Sequence, residues 1–371
     1  MTRFYFRIML LVLLPLFAAA CRSMRPMPLT GGDSVAADGF DPARDVALVV
    51  ILGQLNADGS AFADPALDAE MRQWYVSPAN TGRMKIWYRS TEVENQPVNS
   101  RGEAPRWVVD GKVCDVAPGW LDLWYRNENV AGRTAMNMIH GFGTYSTGAD
   151  KAQGRRGIEG ELGRQFRTAF PDRDLYVLKL GVSGSHISSW ADSTDDHNRT
   201  YFMENIYRPA IASLTASGRR PRLAAVWWMQ GCADSGSSRD YYETRLRHLI
   251  ERFRRESGFP DAPFYIGHIV APGESTACPE GSKGYSEAVR AAQDAVAAGM
   301  PGVSVVDTSP FPMQYEEGFG GCIHFSHEGV NAIGRELVRR IAADPDRWAR
   351  YVTPGSITTK QQQHPHNIYG K

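Results

Sequence analysis

The pattern of apolar and polar positions changes character along the chain. Arg3 and Arg7 precede an apolar run from Ile8 to Phe17, and polar and small residues then continue to about residue 44. Ala47 to Leu52 is an unbroken apolar stretch rich in Val and Ile, the pattern of a strand covered on both faces. It ends at Gly53, a residue at which a strand can bend sharply. From Asp58 to about Gly154 periodicity is scarce, and only Met84 to Tyr88 and Leu121 to Tyr125 read as short strands between Pro and Gly turns. That region is expected to be an irregular insertion on the rim of the domain, with a small β-rich subdomain as the alternative.

After Gly157 the pattern alternates between helical and extended. Ile158 to Phe170 carries an apolar stripe at helical spacing that Pro171 ends, and Leu175 to Leu180 reads as a strand. Tyr201 to Leu214 predicts a helix with a kink at Pro209. Leu223 to Met229 predicts a strand, Tyr241 to Arg255 a helix, and Phe264 to Val270 a strand. Tyr285 to Ala298 predicts a helix, Val303 to Val306 a strand, and Ser326 to Ala342 a helix. Five strands with intervening helices predict an α/β fold with a mainly parallel five-stranded sheet between helical layers. In such a sheet ligands bind at the carboxyl edge of the strands.

With 371 residues, 43% hydrophobic, the chain has ample material for a core. Its 41 basic and 41 acidic side chains are scattered and cancel, which argues against a nucleic-acid partner, because phosphate binding needs clustered positive charge. Residues 1–20 have the form of a secretory signal too short for a membrane span. Ala18-Ala19-Ala20-Cys21 resembles a bacterial lipobox, which would make Cys21 a lipidated first residue and residues 21–44 a tether. An ordinary signal peptide is the alternative. The expected location is therefore the bacterial cell envelope, with membrane contact through the anchor alone. Residues 353–371 read as a disordered tail. Cys114, Cys232, Cys278 and Cys322 permit three pairings, and Cys232 is expected to bond Cys278 or Cys322.

The turn after the first strand, Gly53-Gln54-Leu55-Asn56, resembles the Gly-Gln-Ser-Asn signature of the SGNH hydrolases, in particular the sialate O-acetylesterase-like carbohydrate esterases. Three further blocks follow in order. Lys179 to Trp190 is similar to the family's Gly-Gly-Thr turn and following tryptophan. Ala225 to Asp234 is similar to its Trp-x-Gln-Gly-Glu-Ser-Asp block, and Cys322 to Gly329 to its Asp-x-x-His-Phe-Ser segment. One such match arises easily by chance; four in sequence, each following a strand, do not. The resemblance implies a flavodoxin-like three-layer sandwich over residues 45–352, hydrolysis of O-acetylated carbohydrates, and no cofactor or metal.

In the family a serine attacks the acyl carbonyl, a histidine removes its proton, and a carboxylate three residues earlier orients the histidine. Carried over by position, His324 is the base. The oxyanion donors would be the amides of Leu55 and of Gly157 or Gly160, with the Gln230 side chain. Gln54, Asn56, Gly184, Ser185, His186, Trp190, Cys232 and Asp234 would line the pocket. Three positions depart from the pattern: Leu55 stands for the serine, Gly321 for the carboxylate, and Cys232 for the glutamate of the third block. A carboxylate can come from a neighbour such as Glu316 or Glu317, but an alkyl side chain cannot attack. Ser60, Ser183, Ser185 and Cys232 are the candidates for a substitute nucleophile.

Three functions remain open from the residues: an esterase impaired by Leu55, an active esterase in which His324 uses water or a substitute nucleophile, and a non-catalytic glycan-binding lipoprotein. Trp74, Trp87, Trp107, Trp120 and Trp124 would suit sugar rings if they line the rim, and the core if they do not. His197 is expected in a solvated acidic loop, and His327 exposed at a helix start.

Overall fold

The computed structural model describes residues 39–88, 108–109, 112–113, 119–123, 155–182, 184–192 and 194–352. All of these belong to one compact unit, Ala36–Lys371. The signal, Cys21, Cys114, Trp107, Trp124, Ser183 and the tail lie outside the described residues.

The first strand, β1 (Asp45–Gly53), is buried at every position, as its unbroken apolar run requires. Alternate side chains feed two cores: Leu48, Val50 and Leu52 enter one, and Ala47, Val49 and Ile51 the other. The remaining sheet strands are β2 (Met84–Tyr88), β3 (Gly119–Asp122), β4 (Leu175–Gly181), β5 (Arg220–Met229), β6 (Phe264–Gly267) and β7 (Val303–Val306). They lie in the order β7-β6-β5-β1-β4-β2-β3. Pairing is parallel throughout except between β2 and β3. The five strands expected from the sequence form the flavodoxin-like core of this sheet.

The sheet is wider than expected. Part of the predicted insertion continues it through β2 and β3, and Ala349–Arg350 pairs antiparallel with β5. Trp87 is therefore buried, and Trp120 packs edge-on against it at 5.2 Å. Trp74 packs on the opposite core. Trp87 is thus a core residue, and half-buried Trp74 and Trp120 pack their rings against the two cores.

The helices needed here are α1 (Leu55–Asp58), α2 (Pro65–Tyr75), α3 (Glu159–Ala169), α4 (Arg208–Ala216), α5 (Arg239–Ser257), α6 (Glu287–Gly299) and α7 (His327–Ala343). Ser238, Ser286 and Ser326 cap α5, α6 and α7 by accepting from backbone N–H groups of the first turn. The irregularity expected at Pro209 is realised upstream of it as a π-helical turn, Phe202–Tyr207, that leads into α4. Proline has no N–H to give the preceding turn, and a wider turn accommodates the loss. Among the pairings with no counterpart in the sequence reading, the one that matters for the site is the antiparallel hairpin of β8 (Met313–Glu316) and β9 (Gly321–Phe325). Among the described residues no helix is long and apolar enough to cross a membrane.

Candidate active site

The carboxyl ends of β1, β4 and β5 are in register, with Gly53 paired to Gly181 on one side and Met229 on the other. This is the switch point of the sheet, where neighbouring connections leave in opposite directions and open a crevice. Gly53 has φ 141°, and a Cβ there would come 2.1 Å from Met229 O, so only glycine lets β1 turn this close to β5. The turn is then stitched across: Gln54 N–H donates to Met229 O at 2.9 Å, and Gln54 Oε1 accepts from Gly231 N–H at 3.0 Å.

Asn56 ties the same turn to β9. Its Nδ2 donates to Ile323 O at 3.0 Å and its Oδ1 accepts from Phe325 N–H at 3.1 Å, the two groups that flank His324. Half-buried Leu55, one residue before, therefore stands in the turn bound to the histidine strand. The N–H groups of Ala57 and Asp58 bond Gln54 O. The first amides of α1, those of Leu55 and Asn56, have no intrahelical acceptor.

His324 is 4% exposed. Its Nδ1 lies 2.5 Å from Glu316 Oε1, and Glu316 is itself largely buried. Glu316 Oε1 also accepts from Gln314 Nε2, whose amide in turn bonds Ser60 O and Phe62 N–H. With Nδ1–H directed at a carboxylate, the imidazole presents Nε2 as its basic nitrogen. That Nε2 is buried and has no hydrogen-bond partner among the described residues. Phe319 meets the ring edge-on at 5.7 Å. The carboxylate thus comes from β8, from a position directly opposite Gly321, where the family's acid would stand.

Other expected site residues are placed differently from expectation. Gln230 is not available as an oxyanion donor: its Nε2 donates to Ser185 O and to Asp234 Oδ2, and its Oε1 accepts from Tyr242. Both N–H groups are thereby engaged. Asp234 accepts from Ile187 N–H as well and lies 3.4 Å from the Nδ1 of exposed His186, so it is a buried clamp and not a rim contact. Ser185 Oγ accepts from Trp190 Nε1, and Trp190 is fully buried, stacked edge-on against Trp228. Trp190 is a core residue, not a pocket wall, and Ser185 serves it. Gly184, at φ 64°, makes the tight turn before Ser185.

Gly157 lies against the end of α1: a Cβ on Gly59 would come 2.8 Å from Gly157 N. Gly160 O accepts from the Tyr75 hydroxyl, within the packing of α2 on α3. Cys232 does not form a disulfide; Cys278 and Cys322 pair with each other. Burial pushes the Cys232 thiol up to about 12, so at neutral pH it is a protonated thiol and no activated nucleophile. His327 is buried, contrary to the sequence expectation. Its Nδ1 accepts from Asp64 N–H, and burial with the nearby Arg156 charge lowers its pKa. His197 is exposed beside Asp195, as expected, but opens a short helix, His197–Tyr201, instead of lying in a loop.

A buried polar group under the crevice has no counterpart in the motif reading. Lys179 Nζ donates to Glu159 Oε1 at 2.7 Å with both side chains fully enclosed. Asp58 packs on Gly181 beside them, and burial holds its carboxyl well above the usual range. The sequence signal was a lysine inside an apolar strand, which must find an acid.

A family model described as "Carbohydrate esterase, sialic acid-specific acetylesterase" matches residues 147–343. Solved structures with similar folds include a protein from Arabidopsis thaliana, at 14% identity over 80% of this chain and 98% of that one, TM-score 0.47. A carbohydrate acetylesterase from Xanthomonas citri matches at 14% identity over 80% of this chain and 56% of that one, TM-score 0.45. NanS matches at 17% identity over 81% and 98%, TM-score 0.48. No curated protein matches the sequence.

Proposed function

The chain belongs to the carbohydrate esterase family of sialic acid-specific acetylesterases, and from that premise we propose that it is an exported, envelope-anchored protein whose glycan-ester cleft has lost covalent catalysis. The observation that carries this reading is the company of His324. A base in this family needs a hydroxyl within reach of Nε2, and here that nitrogen has no partner among the described residues while Leu55 occupies the serine position. Deprotonation then has no target on the protein, and no acyl-enzyme forms. Loss of the nucleophile from such a triad lowers turnover by about a millionfold, leaving what binding and backbone donors supply. Ser185, tied to Trp190, and Cys232, a half-buried thiol whose pKa is raised, do not replace it.

The test is release of acetate from a chromogenic acetate and from O-acetylated sialic acid by the unaltered chain and by Leu55→Ser. The serine variant is expected to gain at least about a hundredfold, since one hydroxyl restores a dyad already assembled. Rapid turnover by the unaltered chain would overturn the proposal.

One observation favours a second reading. His324 keeps a carboxylate partner, Glu316, at 2.5 Å, an arrangement suited to activating a water molecule directly. In that case the unaltered chain has slow but measurable hydrolysis that His324→Ala abolishes. Activity unchanged by His324→Ala excludes it.

A further inference from the structure

The foot of the β8–β9 hairpin is held at several points, and its tip is not. Gln314 bonds Ser60 O and Phe62 N–H, and Asn56 bonds Ile323 O and Phe325 N–H. Cys322 is tied to Cys278 and accepts from Lys283 N–H at 2.7 Å. The Lys283 stem closes over Gly321, where a Cβ would lie 2.7 Å from Cε. The tip, Glu317–Gly320, is exposed throughout, and a bond from Gly320 N–H to Glu317 O closes it on itself. A Cβ on Gly318 or Gly320 would meet nothing within 4 Å, and Gly320 takes φ 61°. Glycine on both sides of Phe319 leaves the backbone there free to turn about a fixed foot.

Phe319 is 50% exposed, and its ring stands edge-on to His324 at 5.7 Å. That imidazole is buried, and so is its basic Nε2, which has no hydrogen-bond partner among the described residues. A base acts only within hydrogen-bond reach of the proton it takes, so a covered Nε2 meets neither an ester nor a water until its cover moves. We infer that Phe319 is a positioning residue, carried on a glycine-flanked flap, that closes His324 off in this structure and swings aside to admit a ligand. This gate presupposes the reading of His324 as the base of a glycan-ester cleft. While closed, the ring withholds Nε2 from bulk water, so the imidazole is presented only to what displaces the ring.

The experiment is carbethoxylation of the full chain with diethyl pyrocarbonate, with the rate at each histidine read by peptide mass spectrometry. Exposed His197 and buried His268 set the fast and slow limits, since His268 reacts only as the domain unfolds. With the open form populated at about 0.1–10%, His324 should react at least about tenfold more slowly than it does in Phe319→Ala, yet faster than His268. Phe319→Tyr should restore the slow rate, and the rate at His197 should not change. Residue 319 is exposed, so neither change threatens the fold. His324 reacting as slowly as His268 in both chains, or equally fast with and without the ring, overturns the inference. If Leu55→Ser gains acetate release while Phe319→Ala leaves the rate at His324 unchanged, the cleft stands and the gate alone falls. If the serine variant gains nothing while Phe319→Ala unmasks His324, the gate stands without the esterase reading.

Discussion

An imidazole acts as a base through one nitrogen only when the other is held, and here the holding group is Glu316 on β8. Its role becomes measurable once a nucleophile is present. In a Leu55→Ser background, Glu316→Gln is expected to lower turnover by up to about ten-thousandfold with little change in KM, because the amide favours the wrong tautomer. An unchanged turnover would mean that Glu316 does not orient the base. His327 offers a separate, structural test. Its folded pKa is lowered, so the unfolded chain binds the proton first, and stability declines as pH falls from about 6.5 through the lower folded value. The thermal midpoint should fall over that range, and His327→Gln should flatten part of the decline. A midpoint independent of pH between 7 and 5 would contradict this sign.

The elements act through two restraints, a glycine and a disulfide. Gly53→Ala forces a Cβ into Met229 O and should destabilise the domain by well over about 1 kcal/mol, seen as a shift in the urea midpoint. The Cys278–Cys322 bond closes a loop of sequence separation 44 and ties β9 to the segment that carries Lys283. Chain entropy alone gives it roughly 2–4 kcal/mol. Cys278→Ala with Cys322→Ala is therefore expected to lose stability of that order and, in the Leu55→Ser background, to lose turnover as well. Retention of full stability would show the loop to be held by packing alone. The hairpin of β8 and β9 escaped the sequence reading because Met-Gln-Tyr-Glu and Gly-Cys-Ile-His-Phe carry no continuous apolar run, and because the hairpin is held by distant groups, Asn56 on β9 and Ser60 and Phe62 on Gln314 of β8.

At the scale of the whole molecule the α/β domain is the described part, and the proposed N-terminal anchor is open to a direct test. Cys21→Ala is expected to move the protein from the membrane fraction to the soluble fraction of an expressing bacterium, read by fractionation and by labelling with a radioactive fatty acid. Membrane association that survives the change unaltered would place the anchor elsewhere.

The sequence alone determined the five-stranded parallel core, the turn at Gly53 and the positions of Leu55 and His324, because buried parallel strands are continuous apolar runs and turn residues act locally. By resemblance it put Leu55 and Gly321 where the family's serine and acid are expected. Tertiary structure decided which side chains meet around them. Glu316 reaches His324 from another strand, Lys283 covers Gly321 from a loop, Gln230 and Asp234 close on each other, and Cys278 takes Cys322. Each of these pairs residues far apart along the chain or on facing strands, and no local propensity encodes a contact that exists only after the sheet has brought its edges together.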